Sequence, residues 1–190
     1  MNTPTHLVLN VAMLGRGHSG RRVWPAAIGA VFPDLPLFAF WAYQRFWVGA
    51  TERTIWSELY FRTDWQALFD AVHSIPLIAI GLVLAAALHR SGWVLFFASM
   101  LLHALCDLPL HTYDAHRHFF PFSDYRFVSP VSYWDPHAHG TAAALVELLL
   151  VGIASLIVAR RTTNRLTRGA LLGFNAVAAT GYVLLYWMPH

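Results

Sequence analysis

Four apolar segments, roughly residues 67–89, 93–110, 141–159 and 169–188, each approach the ~20 residues that an α-helix needs to cross a hydrocarbon core. Lipid offers no hydrogen bonds to the backbone, so each such segment is predicted to satisfy its own N–H and C=O groups as a helix. A fifth segment, residues 24–43 ("WPAAIGAVFPDLPLFAFWAY"), contains Pro33 and Pro36. These should kink or break it, which is tolerated only where protein or a water-lined cavity covers the freed backbone groups. Residues 4–14 form a shorter apolar piece, read as a half-length or partly inserted helix. Composition agrees: 57% of residues are hydrophobic, 12% are charged and the mean hydropathy is +0.47, outside the range of ordinary soluble domains. No repeat, low-complexity tract or linker divides the chain. The expected fold is therefore one all-α domain over residues 1–190: a polytopic membrane bundle of about five spanning helices, a short N-terminal helix and a long outer-face loop. The stretch "MNTPTHLVLNVAMLG" lacks a basic leader, so the hydrophobic segments themselves are expected to direct insertion.

All thirteen basic residues are Arg. They are scattered among loops without an aromatic-interleaved patch, so no nucleic-acid partner is expected. They fit membrane orientation instead. Arg160, Arg161, Arg165 and Arg168 crowd the last loop, which the positive-inside rule makes cytoplasmic. Alternation then places Arg90 and the "GRGHSGRR" turn (Arg16, Arg21, Arg22) inside and the loops 44–66 and 111–140 outside, with eight Arg inside against five outside. Trp41, Tyr43, Trp65, Tyr186 and Trp187 would flank the outer surface, and Trp24 and Trp93 the inner one.

With that orientation, His6, Asp34, His73, His103 and Asp107 all fall in the outer half, whereas His18 and His89 map to the cytoplasmic side. His103 and Asp107 are four residues apart, which puts them on one helix face with about 5–6 Å between Cβ atoms, a spacing that suits two ligands of one metal. A carboxylate near the bilayer centre costs roughly 2.5–3.5 kcal/mol and needs a partner. No Arg or Lys lies within the long segments to neutralise Asp34, Asp107 or Glu147. A divalent cation would supply the missing charge, and with Cys106 as the single cysteine its ligands would be His and carboxylate. Each residue also has a plainer reading. His73 suits a hydrogen-bonded packing role, Asp34 the cap of a broken helix, Glu147 a structural pairing, and His111 the stabilisation of a helix C-terminus. Eight outward histidines, among them His111, His116 and His118 in "HTYDAHRH" and His137 and His139 before the next helix, favour a metal site of some kind. The loop 119–140 is longer than most connections, which favours a functional role or a lid. On this outer loop, Arg117 and Arg126 could clamp an anionic group such as phosphate, with contact to solvent or lipid headgroups as the plainer reading.

The pieces "THLVLN", "GAVFPDLPLF", "FDAVHS" and "LLHALCDLP" resemble, in order and over about the first two-thirds of the chain, the YdjM-like family of LexA-regulated, membrane-bound, metal-dependent hydrolases. The order His, Asp, His, HxxxD also resembles the ligand order of bacterial zinc-dependent phospholipases C, which are all-helical and hold a zinc cluster. That resemblance implies His6, Asp34, His73, His103 and Asp107 as metal ligands. Those enzymes add a later His and an HxxxE pair. Here Thr141 follows His137 by four residues and Ala143 follows His139 by four, so no such pair exists, and Glu147 stands at twice that spacing from His139. His111, His116, His118, His137 and His139 then compete for any second metal.

The expected function is a membrane-embedded hydrolase of the bacterial inner membrane, using one or two divalent metals, zinc first among them, at the outer face. Asp107 or Asp34 would accept a proton, Arg117 and Arg126 would bind substrate, and a phosphoester, including one in a lipid headgroup, would be cleaved. The rival from another class is a non-enzymatic membrane protein that binds or moves a metal ion or proton through the same polar cluster.

Overall fold

The computed structural model describes residues 1–15 and 23–186. The "GRGHSGRR" turn with Arg16, His18, Arg21 and Arg22, and Trp187, lie outside the described residues. Helix α1 (Thr3–Leu14) is followed by α2 (Trp24–Val31) and α3 (Leu35–Ala42), then by a short α4 (Glu52–Ser57). Next come α5 (Thr63–His73), α6 (Ile75–Ala87), α7 (Ser91–Asp107), α8 (Gly140–Arg161) and α9 (Arg165–Tyr186). The described residues contain no strand.

The spans Trp24–Val48, Ser91–Leu110, Gly140–Arg161 and Arg165–Tyr186 are long and apolar enough to cross a membrane, and α5 with α6 forms a fifth that is bent by 42°. The protein is thus a multi-pass helical membrane bundle. Large apolar side chains on the outside of the bundle, such as Val83, Leu84, Leu149 and Ile153, suit a lipid surround.

The prolines act as local physics dictates. Pro33 tightens the chain into a 3₁₀ turn at Phe32–Asp34, so the first span continues through α2 and α3 with Asp34 held at the junction. Residues 67–89, read from sequence as one helix, are instead broken at Ser74. Pro76 falls in the first turn of α6, where its missing N–H is not needed, and the Ser74 hydroxyl accepts from Leu77 N at 3.2 Å as a cap.

Helix α1 packs against α2 and α8, α2 against α7, α7 against α6, and α8 against α9. A buried polar clasp ties three of these together: Asn10 Nδ2 donates to Ser99 O (2.8 Å) and Ser99 Oγ (2.9 Å), and Ser99 Oγ donates to Ala26 O (2.6 Å). Small residues let α2 and α7 approach closely, since a Cβ on Gly29 would collide with the Phe96 carbonyl oxygen. Gly29→Val is expected to lower the thermal midpoint of the detergent-solubilised protein by several degrees, whereas Gly169→Val, where a Cβ meets nothing within 4 Å, is expected to leave it nearly unchanged.

At one end of the bundle, Phe40, Ile55, Tyr60 and Phe69 form an aromatic-rich core that fixes α4 onto α3 and α5. The long loop after α7 closes over the same end. Its backbone is pinned by Ile75 N to His118 O (2.8 Å), Ser129 N to His111 O (2.9 Å) and Tyr133 N to Leu110 O (3.0 Å).

Candidate metal centre

Helix junctions bring Asp34, His73, His103 and Asp107 together. Asp34 leaves the 3₁₀ turn between α2 and α3, His73 is the last residue of α5, and His103 and Asp107 lie one turn apart at the end of α7. One donor atom from each of these four comes within 4.8 Å of the others. Ligands about 2.1 Å from a tetrahedral ion would stand ~3.4 Å apart, so these four residues could hold one cation once their donor atoms close in by up to about 1.4 Å. His73, His103 and Asp107 are buried, and the Asp34 side chain is 14% exposed.

The backbone selects the tautomers. His73 Nδ1–H donates to Phe69 O (2.8 Å) and His103 Nδ1–H to Ala30 O (2.7 Å), so in the neutral rings each Nε2 presents a lone pair toward the carboxylates. Neither Nε2 has a hydrogen-bond partner, although both are buried. His103 Nε2 is 3.2 Å from Asp107 Oδ2 and 3.5 Å from Asp34 Oδ1, and His73 Nε2 is 3.9 Å from Asp34 Oδ1. Lone pairs and carboxylate oxygens facing one another at these distances repel unless a positive species lies among them. Two imidazoles and two carboxylates with those lone pairs form a donor set that can bind a metal ion.

Asp107 reaches both ways. Its Oδ1 is 2.9 Å from His6 Nε2 and accepts from the Met1 amino group at 2.6 Å, while its Oδ2 faces His103 and lies 3.8 Å from His111 Nε2. His6 also stacks on His103 with ring centroids 3.7 Å apart. Asp34 Oδ2 accepts from Thr3 Oγ1 at 2.5 Å. The N-terminal end of α1 therefore supplies the partners that the spans lack.

The loop contributes a second tier. His111 Nδ1–H points to Asp114 Oδ2 at 3.0 Å, the carboxylate–histidine pairing that orients an imidazole toward a metal or a proton. Burial opposes charging His111, but Asp107 and Asp114 outweigh it and raise its pKa. His116 stacks on His73 at 4.1 Å, and burial lowers its pKa. Burial likewise pushes His118 down to about 4 and keeps it neutral, with Nδ1–H donating to His116 O at 3.1 Å.

Not every candidate residue converges. His137 and His139 are exposed near the start of α8. Glu147 Oε1 accepts from the backbone N and the side-chain Nδ2 of Asn2, both at 2.9 Å, and so anchors the start of α1. Arg117 and Arg126 are occupied within the protein. Arg117 Nε donates to Asp70 Oδ2 (2.5 Å) and its Nη1 to Asp124 Oδ1 (2.7 Å), while Arg126 bonds Ala115 O and approaches Asp70 at 3.7 Å.

No family model, curated protein or solved structure matches this chain. Its chemistry has to be read from its own geometry.

Asp70, Thr3 and Arg53 also take part. Asp70, fully buried, is the anchor of the loop; the signal was a carboxylate inside an apolar segment, one turn before His73. Thr3 holds Asp34. Arg53 lines a cavity of about 1100 Å³ whose lining includes Asp34, His73, Asp107, His111 and His116, and neither Arg117 nor Arg126 is part of that lining.

Proposed function

We propose that the protein is a metal-dependent hydrolase of phosphoesters, embedded in a bacterial inner membrane with its site at the outer face, and that it is a member of the YdjM-like family. The observation that carries this reading is the Asp34, His73, His103 and Asp107 cluster, with two unpartnered imidazole nitrogens at one end of a membrane bundle and a large cavity against it. The donor set of imidazole and carboxylate suits zinc. Bound there, zinc supplies Lewis acidity and lowers the pKa of water toward ~7.

The chain's own groups divide the remaining work. His73 and His103 are held by backbone carbonyls in the tautomer that offers Nε2. Asp107 is fixed between His6 on one oxygen and His103 and His111 on the other, which makes it a rigid ligand. Asp34, the more exposed carboxylate and part of the cavity wall, is placed to take a proton from an attacking water. His111, oriented by Asp114, faces the same space and can donate a proton to a leaving oxygen.

Transport fits less well. Below the cluster the buried polar groups Asn10 and Ser99 are uncharged and hydrogen-bonded to α2 and to each other, so the ionisable donors gather at one end.

The test is hydrolysis of chromogenic phosphomonoesters and phosphodiesters by purified, reconstituted protein. Turnover is expected to vanish with chelator and return with zinc, and Asp34→Asn is expected to lower kcat by ~10²-fold or more. Hydrolysis that survives both chelation and Asp34→Asn would sink the assignment.

A further inference from the structure

The cavity above the cluster has two unlike ends. Its floor carries Asp34, His73, Asp107 and His111, while Leu37, Phe38, Trp56, Phe61 and Trp134 make much of its wall. At about 1100 Å³ it exceeds the ~300–1,000 Å³ of ordinary small-molecule sites. Inorganic phosphate or a small water-soluble ester would occupy the polar end and leave the aromatic wall wet. Leu37 and Phe38 belong to the Trp24–Val48 span, and Phe38 is 51% exposed, so part of the apolar wall is carried by a membrane-spanning segment. Arg53 is the only arginine in the lining, its residue is exposed, and it forms no ion pair among the described residues. The other outer arginines, Arg45, Arg62, Arg117 and Arg126, each have a carboxylate within 4.0 Å.

We infer that this cavity binds one anionic membrane amphiphile, with its phosphate between the cluster and Arg53 and its hydrocarbon chain along the Phe38, Trp56 and Phe61 wall. The apolar wall selects the chain, the open guanidinium selects the anion, and the location in a spanning segment gives the chain a route from the bilayer. The inference deepens the hydrolase reading and rests on it for the role of the phosphate end. The wall and Arg53 stand without it.

Binding separates the two. Purified protein in a non-ionic detergent is titrated calorimetrically with inorganic phosphate and with butyl, hexyl and octyl phosphate, and the metal content of the same sample is measured. Affinity is expected to rise by up to about fourfold per methylene, the equivalent of ~0.8 kcal/mol, so that octyl phosphate binds about two orders of magnitude more tightly than butyl phosphate. Ser57→Trp adds bulk within the lining and should erase most of that gain while leaving butyl phosphate binding in place. Partition into detergent, which the variant cannot alter, would leave the gain intact. Arg53→Gln should weaken octyl phosphate about tenfold and leave octanol binding unchanged.

A chain-length series that is flat, or inorganic phosphate binding as tightly as octyl phosphate, overturns the amphiphile site. So does a steep series that Ser57→Trp does not touch. If Ser57→Trp fails to fold, brominated octyl phosphate replaces it: quenching of wild-type fluorescence that Trp56→Phe and Trp134→Phe together diminish supports the site, and quenching they leave unchanged overturns it. A flat series in protein that carries stoichiometric metal removes this inference and leaves the hydrolase reading. A steep, Ser57→Trp-sensitive series in protein without metal does the reverse.

Discussion

Protein purified without chelators is expected to carry a stoichiometric divalent cation, zinc by preference, and Asp107→Asn is expected to weaken its retention by two orders of magnitude or more. Asp107 is the residue on which the cluster turns: His6 and Met1 meet one of its oxygens, and His103 and His111 face the other. The amide keeps the shape but removes the charge and places an NH₂ group where an acceptor is needed. His103→Ala removes a ligand outright and also the ring on which His6 stacks. By contrast, His139→Ala, at an exposed position at the foot of α8, should leave metal content unchanged. Asp114→Asn, which loosens His111 and none of the four cluster residues, is expected to leave metal content close to wild type while lowering turnover. Elemental analysis of the purified variants, with circular dichroism to confirm the helical fold, reads all four. Wild type free of stoichiometric metal under these conditions would remove the basis of the hydrolase reading.

The helices were legible because their apolar runs are local. Twenty-residue apolar runs must be helical in lipid, and arginine placement gives them an order from which His6, Asp34, His73, His103 and Asp107 are expected in one half of the membrane; the fold brings these residues together. The spacing of His103 and Asp107 then fixes a shared face. The break at Ser74 was also written locally, in a cap residue followed by Pro76, but the apolar run through residues 67–89 hid it. What could not be read was where the loop after α7 would dock. Arg117 and Arg126 look like free anion binders in "DAHRH" and "DYRF", and only the fold reveals that a carboxylate some fifty residues earlier takes both. The same holds for Arg53, whose neighbours in sequence say nothing of the cavity it lines. The partners of Asp34, Asp107 and Glu147 are Thr3, Met1 and Asn2, polar groups that lie outside the spans and far from these carboxylates in sequence.

Asp70→Ala is expected to release the loop of residues 111–135 while leaving the helical bundle assembled. The carboxylate has no exposure to solvent. It accepts Arg117 N (2.9 Å) and Arg117 Nε (2.5 Å), with Arg126 Nη2 at 3.7 Å and His116 Nδ1 at 3.8 Å. Removing one partner of a fully buried charge pair costs about 3–5 kcal/mol; Arg117 is 20% exposed and keeps Asp124, so the cost here is expected toward or below the lower end of that range. That exceeds what a surface pair contributes: Asp124, 90% exposed, also bonds Arg117, but Asp124→Ala should cost no more than ~1 kcal/mol. Limited proteolysis and hydrogen exchange should therefore show the loop opened in Asp70→Ala and protected in Asp124→Ala. The same variant sorts the metal ligands. Asp34, His73, His103 and Asp107 sit on the bundle and persist when the loop leaves, whereas His111, His116 and His118 leave with it. Metal retained in Asp70→Ala with hydrolysis lost would make the four bundle residues the metal site and give the loop histidines a catalytic or covering role. Metal lost together with loop protection would make loop histidines necessary ligands, and the site would then extend from the bundle into the lid that closes it.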